Sequence, residues 1–85
     1  MTDSSLIPIS EAGKPFKVTL RTIQRWQAEE IFPRPIPLGG RKKFIPKPEI
    51  DAIYRARLAE KSVEEIRQLV RDLHAKRAKM AAPSV

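Results

Sequence analysis

The stretch VTLRTIQRW, residues 18–26, predicts a short amphipathic helix around which the rest of the chain is organised. Thr19 is a suitable N-cap, because its hydroxyl can accept a hydrogen bond from an amide of the first turn. At about 100° per residue, one side of the helix carries Leu20, Ile23, Trp26 and Gln27. The opposite side carries Arg21, Thr22, Arg25 and Ala28. These side chains suit the DNA major groove, where Arg binds guanine and Thr contacts thymine, although a solvated outer face has the same pattern.

The segment AEEIFPRPIPLGGRKKFIPKPEIDAI, residues 28–53, comes next and predicts a β-hairpin. Its alternating prolines exclude helix and predict either a rigid arm or a plain extended connector: Pro33, Pro35 and Pro37. Gly39 and Gly40 supply the positive φ angles of a two-residue turn between short strands at residues 36–38 and 41–45. Three cations crowd this turn, and they would either form a cationic wing on DNA or only add solubility: Arg41, Lys42 and Lys43.

The net charge of +7 is concentrated in one part of the chain. Residues 14–47 contain nine basic and two acidic residues, so this segment carries the whole excess and the rest balances to zero. A polyanionic partner is expected, and nucleic acid is the commonest one for so basic a domain. A membrane-binding helix is not predicted, because the cations are spread over a turn, a helix and a hairpin. RNA is less favoured than DNA, because most of the aromatic residues look structural.

Other features of the sequence argue against whole classes of function. With no cysteine and one histidine, His74, the chain is not expected to bind a metal or another cofactor. It has no nucleophile–base pair, paired carboxylate or phosphate loop, so neither enzymatic activity nor a small-molecule substrate is expected. No apolar run approaches the ~18 residues of a membrane span, and the N-terminus does not resemble a signal peptide. We therefore expect a cytoplasmic protein that associates with the nucleoid when bound to DNA.

Residues 8–60 are predicted to form one small domain, preceded by a flexible segment at residues 1–7. Ser10 is a candidate N-cap for a short first helix that begins at Glu11. Pro48 suits the first turn of a later helix, which is predicted to end or bend near Lys61. The apolar stripe of that later helix is predicted to be Ile50, Ile53, Tyr54 and Leu58, with Tyr54 at the edge of the core. This helix is predicted to close the core over Ile23 and Trp26.

The C-terminal part, residues 61–80, is predicted to form an amphipathic helix. Ser62 and Glu65 have the spacing of a capping box. The apolar positions follow three–four spacing over about two heptads: Val63, Ile66, Val70 and Leu73. Three roles are open for this face, namely packing onto the domain, self-association of protomers, and contact with an integrase or polymerase. Residues 81–85 are predicted to form a disordered tail.

A run of residues that begins in the stretch 18–26 and continues beyond it resembles a known family. It consists of Arg25–Trp26, Phe32–Pro33, Pro35, Leu38–Gly39 and Arg41, followed by Glu49–Ile50–Asp51. This run is similar to the AlpA and excisionase branch of the MerR-like winged-helix proteins, over about residues 9–57. Family members commonly end the recognition helix with Gly, where this chain has Glu30. The resemblance implies a mainly α winged helix-turn-helix with a small β-hairpin wing, followed here by the C-terminal amphipathic helix.

The resemblance also implies a function, because the family binds double-stranded DNA. An excisionase, or recombination directionality factor, would bind adjacent DNA sites cooperatively, bend the DNA and assist a tyrosine integrase in excising a mobile element. Base contacts are then expected from Arg21, Thr22 and Arg25. Backbone contacts are expected from Lys17, Thr19, Arg41, Lys42 and Lys43. One alternative is an AlpA-type transcriptional regulator of a prophage, and another is a protein-interaction adaptor that acts through its C-terminal helix.

Overall fold

A computed structural model of the chain describes residues 5–81, which form a mostly helical domain with a small antiparallel sheet. The helices are α1 (Leu20–Ala28), α2 (Lys47–Leu58) and α3 (Val63–Ala81). The strands are β1 (Leu6–Pro8), β2 (Ile36–Pro37) and β3 (Lys43–Pro46). Two 3-10 turns, Ile9–Glu11 and Lys14–Phe16, precede α1. None of the helices in the described range is long and apolar enough to cross a membrane.

The segment before α1 differs from the predicted first helix at Glu11. Two 3-10 turns stand there instead, because Pro15 has no amide hydrogen and its ring obstructs a continuing α-helix. Between the turns, the carbonyl of Gly13 accepts from the amides of Phe16 at 3.0 Å and Val18 at 3.1 Å, and this close approach of the backbone requires glycine. A Cβ at Gly13 would lie 2.5 Å from the carbonyl oxygen of Val18. The backbone of residues 13–18 is therefore folded tightly onto itself immediately before α1.

Both ends of α1 are fixed by local hydrogen bonds. The hydroxyl oxygen of Thr19 accepts from the amide of Thr22 at 3.4 Å, which confirms Thr19 as the N-cap. At the other end, the amide of Ile31 donates to the Trp26 carbonyl at 2.9 Å, and Glu30 has a φ of 62°. This is a Schellman motif, and Glu30 adopts the left-handed conformation that glycine usually supplies.

The sheet has the order β1–β3–β2, and both neighbours of β3 are antiparallel to it. Ile7 pairs with Ile45 on one side, and Ile36 pairs with Phe44 on the other. Leu6 and Ile7 therefore belong to an edge strand that attaches the N-terminal segment to the domain, and the flexible segment does not extend to them. Ile7 also packs against the core, which gives this strand an apolar anchor. Residues 1–4 of the predicted flexible segment lie outside the described residues.

The hairpin between β2 and β3 is present, but its turn is one residue longer than predicted. The amide of Leu38 donates to the carbonyl of Lys42 at 3.3 Å, which leaves Gly39, Gly40 and Arg41 as a three-residue connection. Both glycines have the predicted positive φ, 103° and 58°. The strands are shorter than predicted, because Arg41 and Lys42 belong to the turn and β3 begins at Lys43.

The core lies between the sheet and the three helices. Its largest fully buried apolar side chains are Phe32, Ile23, Ile45, Ile53 and Val70. In α2, Ile50 and Ile53 are buried as predicted, whereas Tyr54 and Leu58 are 38% and 67% exposed. Ala56 is 8% exposed and belongs to the core cluster together with Ile66 and Val70 of α3.

The C-terminal helix folds back onto the domain. It begins after a bend at Glu60 and Lys61, as predicted, and the predicted capping box is confirmed. The Ser62 amide donates to the Glu65 carboxylate and the Glu65 amide donates to the Ser62 hydroxyl, both at 3.1 Å. The bond from the Ser62 amide holds the pKa of Glu65 below its usual value. Ala81, which was assigned to a disordered tail, is the last residue of α3, and residues 82–85 lie outside the described part.

The folding back of α3 confirms packing onto the domain, the first of the three roles predicted for this face, and leaves little of the predicted self-association face exposed. Ile66 and Val70 are each 2% exposed within a single chain, and Leu73 packs against the core from its edge. Packing within the chain already removes the apolar surface of these side chains from water, so they are not accessible to a second protomer. Val63 is 51% exposed and is the one residue of the predicted set that lies on the outside of the domain.

Candidate nucleic-acid interface

The outer face of α1 presents a row of polar side chains. Arg21, Gln24 and Arg25 are exposed, while Ile23 on the opposite side is fully buried. Within residues 5–81, neither Arg21 nor Arg25 has a side-chain hydrogen bond or an ion pair. Two free guanidinium groups on a capped helix can make the paired hydrogen bonds that distinguish guanine in a major groove.

Two residues of this outer face differ from the prediction, namely Thr22 and Gln24. Thr22 is half-buried, and its hydroxyl lies 3.4 Å from that of Thr19, so it sits at the edge of the outer face. Gln24 was not among the predicted contacts, yet it is exposed beside the arginines. Its position three residues after Arg21 places it on the same face of a helix, which is the signal that could have identified it. A glutamine amide can bind adenine through two hydrogen bonds.

The turn of the hairpin is the second cationic element. Arg41, Lys42 and Lys43 are all exposed, and their side chains form no ion pair or hydrogen bond with another described residue. Lys17 is likewise exposed and unpaired among these residues, in the left-handed turn that leads into α1. Thr19 is exposed too, although its oxygen is engaged in capping the helix.

The acidic residues are segregated from these cations. Five ion pairs occur within residues 5–81, and they join Glu11 with Lys14, Asp51 with Lys47, Glu65 with Lys61, Glu64 with Arg67, and Glu49 with Arg77. None of them includes a cation predicted to contact DNA. Neither α1 nor residues 36–46 contain an acidic residue. Both elements therefore present uncompensated positive charge to solvent.

Aromatic side chains support α1 from beneath. The ring of Phe16 contacts those of Trp26, Phe32 and Tyr54 edge-on, with centroids 5.6–5.7 Å apart. The guanidinium of Arg57 lies 4.3 Å from the Trp26 ring centroid and covers its outer side. Trp26 was predicted to lie in the core, and it is half-buried at the edge of the core instead.

Polar contacts from α3 hold the segment that connects α1 to β2, residues 29–35, which we call the arm. The Arg34 amide donates to Nε2 of His74 at 3.0 Å, and its carbonyl accepts from Nη2 of Arg77 at 2.7 Å. Arg67 donates to the Glu29 carbonyl at 3.2 and 3.3 Å. Burial lowers the pKa of His74, and the cations of Arg34 and Arg77 lower it further, which favours the neutral ring that accepts this bond.

Comparison of the chain with protein-family models, curated proteins and solved structures finds no match. The resemblance to the AlpA and excisionase family therefore depends on the motif residues between Arg25 and Asp51 alone.

Proposed function

We propose that this chain is a sequence-specific double-stranded DNA-binding protein with a winged helix-turn-helix fold. The observation that carries the proposal is the set of six exposed cations without an ion pair among the described residues, on or beside α1 and on the hairpin: Lys17, Arg21, Arg25, Arg41, Lys42 and Lys43. Exposed cations that are not paired with carboxylates attract a polyanion and release its counterions on binding.

In this proposal α1 is the recognition helix and enters the major groove. Arg21 and Arg25 bind guanine, and Gln24 between them binds adenine. At the N-terminal end of α1, Thr19 binds the Thr22 amide, the amides of Leu20 and Arg21 precede it, and Lys17 lies just before the helix. A helix N-terminus binds phosphate through these amides and its dipole, so this end lies on the DNA backbone and fixes the register of the helix.

The hairpin, residues 36–46, is the wing in this proposal. Its tip carries Arg41, Lys42 and Lys43, which contact phosphates or enter the adjacent minor groove. Gly39 and Gly40 have no atom of another residue within 4 Å of a Cβ position, so the tip projects freely from the domain. A projecting cationic tip can reach backbone that α1 does not touch.

Double-stranded DNA suits this chain better than single-stranded nucleic acid. Proteins that bind single strands stack bases on accessible aromatic rings. Here Phe16, Trp26 and Phe32 pack against one another with edge-on or tilted rings, and the Arg57 guanidinium lies over the Trp26 ring. The available groups are instead cations and an amide, which suit groove edges and phosphates.

The resemblance to excisionases supports a role as a recombination directionality factor that bends DNA and assists a tyrosine integrase. The same interface would serve an AlpA-type regulator of transcription, and an excision assay with integrase compared with a promoter reporter separates the two roles. The adaptor alternative has less support, because Ile66 and Val70 of the C-terminal helix are buried within the chain. Cooperative binding at adjacent sites would need another surface, such as exposed Leu58 and Val63.

Selection of duplexes from a random pool, followed by affinity measurements on selected and shuffled duplexes, tests the proposal. The affinities should differ at the same salt concentration, and both should fall as salt rises. A chain that enriches no sequence and binds both duplexes equally is not a sequence-specific DNA-binding protein.

Replacing Lys42 and Lys43 together with Ala is expected to weaken binding to both duplexes by a similar factor. Each phosphate contact contributes about fivefold at 0.15 M salt, so the double change should cost about 30-fold and reduce the salt slope by about 1.8. Lys76→Ala/Lys79→Ala is the control with the same loss of charge, on exposed positions of α3. Equal effects of the two double changes would show that only net charge matters, and would contradict the wing.

A further inference from the structure

The side chain of Arg77 in α3 links the two ends of the hairpin, where the hairpin joins the rest of the domain. Nε of Arg77 donates to the Glu49 carboxylate at 2.8 and 3.1 Å, and Nη2 donates to it at 2.6 Å. The same Nη2 donates to the Arg34 carbonyl at 2.7 Å. Arg34 lies two residues before β2, and Glu49 lies three residues after β3. Arg77 therefore connects the chain entering the hairpin with the chain leaving it.

The strand β2 itself has few contacts, although the chain just before it is held by buried Phe32 and by the Gln27 side-chain bond to the Pro33 carbonyl at 3.0 Å. It is a two-residue strand at the edge of the sheet, and Pro35 and Pro37 have no amide hydrogen to donate. Beyond it, Leu38 is 54% exposed and makes one ladder bond, to Lys42 at 3.3 Å. In contrast, β3 pairs on both sides and runs directly into α2.

His74 strengthens the same anchor. It accepts from the Arg34 amide while Arg77 donates to the Arg34 carbonyl, so both backbone polar groups of this residue are bound by α3. The Glu49 side chain is 9% exposed and that of Arg77 is 19% exposed. A shielded, forked ion pair keeps its geometry better than an exposed one. Arg34 is therefore held by two hydrogen bonds from α3, and through Arg77 it is connected to Glu49 of α2.

We propose that Arg77 is a positioning residue for DNA binding, which holds the hairpin in the orientation that places Lys42 and Lys43 on the DNA backbone. The inference rests on the proposed function, and Arg77 acts through Arg34 and Glu49 without touching DNA. Its Nε and Nη2 donors are already engaged, so the side chain is a poor phosphate ligand. Loosening this anchor leaves α1 intact but lets the tip of the hairpin sample orientations away from the DNA.

The double variant Glu49→Leu/Arg77→Met tests the proposal. It replaces a buried ion pair by apolar side chains, an exchange that proteins often tolerate, and it removes the bond to Arg34. Lys61→Met/Glu65→Gln is the matched control, because it also removes an ion pair of α3 without changing net charge and retains an acceptor for the capping box. Circular dichroism establishes that both variants are folded.

The first measurement is amide hydrogen exchange without DNA. In the double variant, the Leu38 amide should exchange at least about tenfold faster, while the Ile53 amide in α2 keeps its protection. The control variant should match the parent chain at both positions. Unchanged protection of Leu38 would overturn the proposal, since the hairpin would then be held without Arg77.

The second measurement is the cost of replacing Lys42 and Lys43 by Ala in each background. The parent and control chains should lose about 30-fold in affinity, whereas the double variant should lose at most about threefold, because its lysines no longer rest on phosphates. A full 30-fold loss in the double variant would overturn the positioning role.

Two other outcomes are possible: the double variant does not fold, or the parent chain binds no DNA. If the double variant does not fold, Arg77→Lys takes its place, because lysine retains a charge opposite Glu49 but lacks the planar fork that also reaches Arg34. The expected losses are the same for that variant. If the parent chain binds no DNA, the proposed function fails, and the Leu38 exchange alone decides whether Arg77 holds the hairpin.

Discussion

Phe32→Ala is expected to lower the free energy of unfolding by about 3–5 kcal/mol. Phe32 is 1% exposed, and its ring packs against those of Phe16 and Trp26, at 5.7 and 6.2 Å between centroids. Its removal leaves a cavity under α1 that the surrounding aromatic rings cannot fill. Small domains are stable by only about 5–15 kcal/mol, so this one change removes a large share of the total.

Urea denaturation followed by circular dichroism measures this effect. Leu58→Ala is the control, because Leu58 is 67% exposed and its truncation should change stability by no more than about 0.5 kcal/mol. If the Phe32 and Leu58 variants unfolded at the same urea concentration, Phe32 would not be at the centre of the core.

Ile66→Asp is expected to have an effect at least as large, because it places a carboxylate in the apolar core. Ile66 is 2% exposed and belongs to the core cluster between α3 and the rest of the domain. An unpaired charge in such a site costs several kcal/mol, or forces α3 to leave the domain. We expect the variant to be largely unfolded at room temperature.

Val63→Asp is the matched control on the same helix. Val63 is 51% exposed in the first turn of α3, where a carboxylate interacts favourably with the helix dipole, so its stability should be within about 0.5 kcal/mol of the parent chain. Thermal melts compare the two. An Ile66→Asp chain that melts like the parent would mean that α3 is not required for the fold, and its apolar face would again be available for contacts between protomers.

The features that could be predicted from the sequence depend on residues close together along the chain. The Thr19 N-cap, the Ser62–Glu65 capping box and the positive φ angles at Gly39 and Gly40 each follow from neighbours within a few positions. Local hydrogen-bond geometry decides them, and tertiary packing does not alter them here. The outer face of α1 could be predicted for the same reason, apart from Gln24 and Thr22.

The features that could not be predicted depend on distant contacts. The strand at Leu6–Pro8 forms because it pairs with β3 almost forty residues later, and nothing in its own three residues requires that partner. Glu49 and Arg77 are 28 residues apart, and each alone looks like a charge that complements a helix dipole. The stripe with Ile66 and Val70 would look the same on a helix that packs within the chain or between chains.

The central proposal, that α1 reads bases, is tested most directly by Arg25→Ala on a selected and a shuffled duplex at one salt concentration. Arg71→Ala, at an exposed position of α3, is the control. A paired contact to guanine should be worth about 1–3 kcal/mol, so the Arg25 change should weaken the selected duplex by about 5- to 150-fold. Binding to the shuffled duplex should weaken by at most about fivefold, which is the contribution of one phosphate contact to the affinity. An equal loss on both duplexes would contradict base reading by α1.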